Sequence, residues 1–165
     1  MNKPTRETLF SSKTNEWATP QEFFDMLDSE FHFTLDAAAT PENAKCFKFF
    51  TKDDDALTKD WSGECVWCNP PYGRSLLPLF VMKASGEVQK PNTTVVLLIP
   101  ARTDTRYWHE YIFPHADEIR FIRGRFSFGK GHALAPFPSA VAIFKSAISQ
   151  LSLITHARVG TMERK

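Results

Sequence analysis

The stretch Thr94-Val95-Val96-Leu97-Leu98-Ile99 shows no alternation of polar and apolar positions. A strand of that kind is apolar on both faces and belongs inside a sheet covered on both sides, as parallel sheets are. Upstream, Phe23, Phe24, Leu27 and Phe31 recur near helical spacing and give one apolar face. The residues before them are those of a helix start: Thr19 can cap, Pro20 suits the first helical position, and Glu22 can reach back to the cap. Phe31, Phe33 and Leu35 then alternate with polar neighbours, which predicts a strand ending at Asp36. A turn through Ala37-Ala38-Ala39 and a start of local helix at Thr40-Pro41-Glu42 follow. Phe47 to Phe50 reads as a short strand, and Asp53-Asp54-Asp55 with Leu57 as an acidic loop. Cys65-Val66-Trp67-Cys68 reads as a buried strand running into Asn69. Ser75 to Ala84 predicts a helix with Leu76, Leu77, Phe80, Val81 and Ala84 on its apolar side. Pro78 falls in the first turn, where a missing N–H costs little. Asp104 to Phe113 reads as a helix, Glu118 to Arg123 as a strand, 124–138 as a long loop, and Ala140 to Phe144 as a last strand.

Strands alternating with helices imply a doubly wound α/β sheet. Ligands in such sheets sit beyond the carboxyl ends of the strands. Asp36 and Asn69 both fall at such ends, so two distant polar residues are expected to meet in one crevice. The 165 residues suit one domain with a substantial core. The expected division is a polar leader over 1–15, a domain over 16–150 and a weakly specified tail over 151–165.

Composition narrows the class. The chain is 42% hydrophobic and 24% charged, with 15 Phe and 4 Trp, as in an ordinary globular protein. No run of about 18 apolar residues suggests a membrane span, and a soluble, cytoplasmic protein is expected, monomeric or a homodimer. Three cysteines argue against a disulfide framework. Cys65-x-x-Cys68 lacks a second pair at ligand spacing, so buried reduced thiols are expected and no metal site. The net charge of +1 hides a division. Residues 1–82 carry 8 Lys/Arg and 13 Asp/Glu; residues 83–165 carry 12 and 6. The basic half suits a polyanion.

The densest chemistry is Asn69-Pro70-Pro71-Tyr72, followed by Gly73. Two prolines stiffen the turn and leave carbonyls without competing N–H groups. Asn69 adds a side-chain acceptor and Tyr72 a flat ring. Such a corner suits a planar base with an exocyclic amino group, whose hydrogens need acceptors and whose ring needs a stacking partner. A plain turn or a polyproline II ligand is the alternative. Against it, the tetrapeptide closes a predicted buried strand.

The corner resembles motif IV of the amino-directed methyltransferases. An ordered set extends the likeness: Trp17-x-Thr19-Pro20, Leu35-Asp36-x-Ala38, Asn43-Ala44-Lys45-Cys46, Asp54-Asp55-x-Leu57, Trp61, Pro100-x-Arg102-x-Asp104, Gly124-Arg125 and Pro136-Phe137-Pro138-Ser139. With these, residues 15 to 145 resemble the phage-type DNA adenine methyltransferase family. The resemblance implies a Rossmann-like fold, a single domain with a mixed, mostly parallel sheet, S-adenosylmethionine as donor, and adenine N6 in double-stranded DNA as acceptor. By position, Trp17, Thr19 and Pro20 resemble the N-terminal cofactor motif, and Asp36, Ala37 and Ala38 the first-strand cofactor turn. Asp54 and Asp55 resemble the acidic position near the adenosine. Asn69, Pro70, Pro71 and Tyr72 resemble the catalytic corner, with Asn69 also near the cofactor. Arg102, Arg106, Arg123, Arg125 and Lys130, with His132, are the candidates for DNA; Phe126 and Phe128 could wedge or pack.

Two departures stand out. The first-strand turn has no glycine, and the chain has no room for a sizeable separate recognition domain. The same corner would serve cytosine N4, RNA adenine or a protein glutamine. A module that kept the fold and lost the cofactor is the non-enzyme alternative.

Overall fold

The computed structural model describes residues 18–127 and 134–147. The expectations on Trp17, Phe128, Lys130, His132, the leader and the tail lie outside the described residues. Six strands form one sheet: β1 Leu35–Asp36, β2 Lys48–Phe49, β3 Cys65–Cys68, β4 Thr94–Pro100, β5 Glu118–Phe121 and β6 Ser139–Lys145. Their order is β2-β1-β3-β4-β6-β5. The first four run parallel, while β6 is antiparallel to both β4 and β5. The mixed α/β sheet is therefore as expected, with β4 inside it.

Helices cover both faces, and alternation along the strands divides the core between them. Helix α1, Gln21–Phe31, lays Phe24 and Leu27 on Trp67, Val96, Leu98, Val141 and Ile143. Helix α2, Leu77–Glu87, and a π-helical turn at Trp108–Ile112 cover Val66, Cys68, Val95, Leu97 and Ile99 on the other face. Trp61, Trp67 and Trp108 are among the largest fully buried side chains. Each such side chain contributes about 2–3 kcal/mol through burial. Edge-on contact of Phe24 with Trp67 at 5.6 Å fixes how α1 sits.

Several local expectations are corrected. Thr19 does not cap α1: Pro20 holds the cap position with no side-chain bond, because the Thr19 hydroxyl is engaged elsewhere. Phe31 remains helical, and His32 at φ 56° ends the helix, so the following strand shrinks to Leu35–Asp36. No helix starts at Thr40; Asn43 Oδ1 accepts the Thr40 N–H at 2.7 Å and closes a turn instead. α2 begins two residues later than Ser75 and extends to Glu87. The helix expected from Asp104 widens into the π turn and ends in a short α-helix, Phe113–His115.

The cysteines pack. Cys68 is fully buried, and the Cys65 thiol donates to the Phe31 carbonyl at 3.1 Å. Burial pushes the Cys65 thiol up to about 11 and Cys46 up to about 12. Among the described residues, no helix is long and apolar enough to cross a membrane.

Candidate active site

The sheet reverses its winding between β1 and β3: the chain adds β2 on one side of β1 and β4 beyond β3 on the other. At such a switch point the connections diverge and leave a crevice at the carboxyl ends. Asp36 pairs with Trp67 across β1 and β3, and Asn69 leaves β3 two residues later. The two residues thus flank the crevice. The connections after β2, β4 and β5 emerge from the same edge, because those strands point the same way.

Asn69 is held on both ends of its amide. Its Nδ2 donates to Thr19 Oγ1 at 3.1 Å, and its Oδ1 accepts the Tyr72 hydroxyl at 2.7 Å. The Leu98 carbonyl also lies 3.2 Å from that hydroxyl. As placed, the amide nitrogen faces the Thr19 oxygen and the amide oxygen faces the Tyr72 hydroxyl. Thr19 is only 5% exposed, so its hydroxyl is a fixed partner. Tyr72 is half-buried with its hydroxyl inward. Burial, with Cys68 and Tyr107 nearby, pushes its phenol well above the usual range, so it stays a proton donor. Pro70 is buried and Pro71 exposed. Gly73 offers its carbonyl to the Leu77 N–H, which joins the corner to α2.

Asp36 is nearly fully buried and holds backbone. Its Oδ1 accepts the Ala38 N–H at 3.2 Å and its Oδ2 the Lys45 N–H at 3.0 Å. Burial raises its carboxyl, and these two N–H groups and the Lys45 charge oppose the rise. The Asn43-Ala44-Lys45-Cys46 segment thereby has a physical role: it folds back onto Asp36. The glycine-free turn is unstrained. Ala37 and Ala39 continue the ladder, donating to the Trp67 and Phe50 carbonyls. The positive-φ residues among those described are His32, Asp55 and Asn92, with Gly63 and Gly124, so the turn asks nothing of Ala37–Ala39 that alanine cannot supply.

The two acidic candidates separate. Asp54 accepts the Thr51 N–H and hydroxyl and closes a turn; those bonds hold its carboxyl below the usual range. Asp55 adopts φ 53° before a 3₁₀ turn at Ala56–Thr58 and is exposed. Its carboxylate has no hydrogen bond among the described residues, and it stands beyond the end of β2.

The basic candidates separate too. Arg102, directly after β4, stacks its guanidinium 5.5 Å from the Phe137 ring. Phe137 in turn meets Tyr72 edge-on at 5.5 Å. Arg125 donates to the Ala135 carbonyl at 3.1 Å and Ala135 to the Phe126 carbonyl, which ties the two limbs of the long loop together. Phe126 packs edge-on against Phe23 at 4.8 Å. Arg123 is exposed in the same loop. Arg106 instead pairs with Glu110 along its own helix. Sequence reasoning gave no role to Phe137, to the Leu98 carbonyl, or to Arg120, which grips Glu30 with both terminal nitrogens at 2.6 Å. Only the Pro136-Phe137-Pro138-Ser139 segment pointed to the first of these.

Residues 6–157 match the family described as DNA N-6-adenine-methyltransferase (Dam). The chain belongs to this family. A DNA N-6-adenine-methyltransferase of Haemophilus phage HP1 is 34% identical over 120 residues, covering 72% of this chain and 68% of that protein. One of Escherichia phage T1 is 35% identical over 96 residues, covering 57% of this chain and 39% of that protein. A Pyrococcus horikoshii protein solved as an RNA methyltransferase candidate aligns at TM-score 0.43 and 17% identity, over 77% of this chain and 59% of that one. The Dam-family chain is thus an adenine-N6 methyltransferase by descent.

Proposed function

We propose that this chain transfers a methyl group from S-adenosylmethionine to N6 of an adenine extruded from double-stranded DNA, at the Asn69-Pro70-Pro71-Tyr72 corner. The arrangement that supports it most directly is the doubly anchored Asn69 amide at the switch-point crevice. When bound, S-adenosylmethionine supplies an electrophilic methyl on a sulfonium. The residues present fit such a group: Asp55 is an exposed acid beyond the end of β2, of the kind that accepts from a ribose diol. Asp36 acts through the turn it holds, keeping the Ala37 and Ala38 backbone in place, and Thr19-Pro20 closes the crevice from the α1 side. Trp17 remains a candidate for the cofactor.

Adenine N6 is a poor nucleophile because its lone pair is delocalised into the ring. Asn69 Oδ1 and the Pro70 carbonyl accept its two hydrogens and favour a tetrahedral nitrogen with the lone pair turned outward. This is electrostatic stabilisation by groups oriented beforehand. Methylation makes the nitrogen acidic, so its extra proton passes to water and a neutral Asn69 suffices. Tyr72 supplies the stacking ring and Pro71 the stiffness of the turn. Arg102, Arg123 and Arg125 meet phosphates, with Lys130 a further candidate from the sequence; Arg106 reaches them only by leaving Glu110.

The test is incubation of the protein with labelled donor and mixed duplex DNA, followed by nucleoside analysis. N6-methyladenine is expected. Label in cytosine, RNA or protein would move the assignment to another amino group, and absence of heat on titrating the donor would identify a module without cofactor.

A further inference from the structure

Lys45 is half-buried, and its ammonium is held by a neutral group. The Nζ donates to Gln21 Oε1 at 2.6 Å and lies 6.0 Å from the centre of the Phe24 ring. Lys48, Lys83 and Lys90 each pair with an acid; among the described residues, Lys45 forms no such pair. The Asp36 carboxylate beside it is taken up by the Ala38 and Lys45 backbone N–H groups. A cation bonded to a neutral amide gains more from a carboxylate, because a hydrogen bond between two charged groups is the stronger one.

The placing of Lys45 rests on bonds. Its backbone N–H is bound by Asp36, at the end of β1. Its ammonium is bound by Gln21, the first residue of α1. Gln21 follows two positions after Thr19, which touches Asn69. Lys45 is thus tied to both residues that flank the crevice, to Asp36 directly and to Asn69 through the start of α1. Gln21 is exposed, so a ligand meets the ammonium from solvent and needs no enclosed cavity.

We infer that Lys45 binds the carboxylate at the amino-acid end of the donor. The inference rests on the use of S-adenosylmethionine proposed above. The donor carries three arms on its sulfur. The methyl has to face Asn69, and Asp55, the acid suited to the ribose, stands beyond β2. The amino-acid arm is left for the α1 side, where Lys45 offers its charge. A DNA phosphate is also an anion, but Arg102, Arg123 and Arg125 follow β4 and β5, across β3 from the β1–β2 connection that carries Lys45.

The experiment is calorimetry with two ligands, S-adenosylhomocysteine and its decarboxylated analogue, which lacks the carboxylate alone. Lys45→Met keeps the apolar stem on Phe24 and removes the charge. It is expected to weaken S-adenosylhomocysteine about tenfold and to leave the decarboxylated analogue unchanged. The wild type is expected to prefer S-adenosylhomocysteine by a similar factor, and Lys45→Arg to keep most of that preference. DNA affinity and its salt dependence are expected to stay as in the wild type. Equal losses on both ligands would make Lys45 a prop for the turn, and a loss confined to DNA would make it a phosphate contact; either result overturns the inference. Wild type that binds neither ligand removes the proposed donor and this inference with it. Wild type that binds S-adenosylhomocysteine no better than Lys45→Met does removes the inference alone.

Discussion

Thr19 and Asn69, fifty positions apart in the chain, are joined by a 3.1 Å hydrogen bond from the asparagine amide to the threonine oxygen. The bond tethers the group proposed to hold the substrate to the segment that leads into α1. Thr19→Val keeps shape and removes the acceptor. About tenfold loss in kcat is expected, with the KM for DNA little changed, since the loss is of one oriented bond. Thr19→Ser should restore most of it. Steady-state kinetics at saturating donor measure the split; equal kcat for Val and Thr would show the amide to be oriented without Thr19.

Asn69→Ala removes the acceptor itself. Methyl transfer should fall by at least about a hundredfold, the scale on which one oriented donor or acceptor at a reacting centre acts. Donor binding, measured by calorimetry, should persist. A variant that turns over near the normal rate would strip Asn69 of its role.

Tyr72→Phe separates the ring from the hydroxyl. The ring keeps its edge contact with Phe137, so DNA affinity should hold. The Asn69 oxygen loses its phenol partner, so kcat should drop by a few fold, whereas Tyr72→Ala should also weaken binding of DNA carrying an extruded base. Fluorescence of 2-aminopurine at the target position follows the second effect.

Asp36 serves two backbone N–H groups. Asp36→Ala leaves both without their acceptor and should cost about 2 kcal/mol in urea unfolding. Asp36→Asn retains an acceptor oxygen and should fold better. Both should weaken donor binding through the displaced turn. A folded Asp36→Asn with an unaltered donor dissociation constant would mean that the turn does not shape the cofactor site.

Glu87, the buried last residue of α2, binds Lys83, Lys90 and the Trp61 N–H. Burial raises its carboxyl, but these partners outweigh it and the net shift is below the ordinary 4.5. A depressed carboxyl contributes stability above its unfolded value and loses it as pH falls through the folded one. Stability should therefore decline below about pH 4.5, and Glu87→Gln should lower it at pH 7 by about 1–3 kcal/mol while flattening that decline. Urea midpoints at pH 7 and pH 4 give the comparison.

The uninterrupted apolar run in β4, the helical spacing of Phe24 and Leu27, and the rigid corner after β3 were legible in the sequence because each depends on neighbours a few positions away. So was the placing of Asp36 and Asn69 at strand ends, since strand direction follows from the alternation with helices. Only the tertiary structure could show that Thr19 gives up its capping role to reach Asn69, that Phe137 joins Arg102 to Tyr72, or that Asp54 closes a turn while Asp55 stays open. It alone showed that Ala37–Ala39 keep a backbone open to any L-residue, and that Asp36 is spent on the Ala38 and Lys45 N–H groups. Those facts depend on which side chains the sheet order brings side by side, and pairing across fifty residues leaves no periodic trace in a single chain.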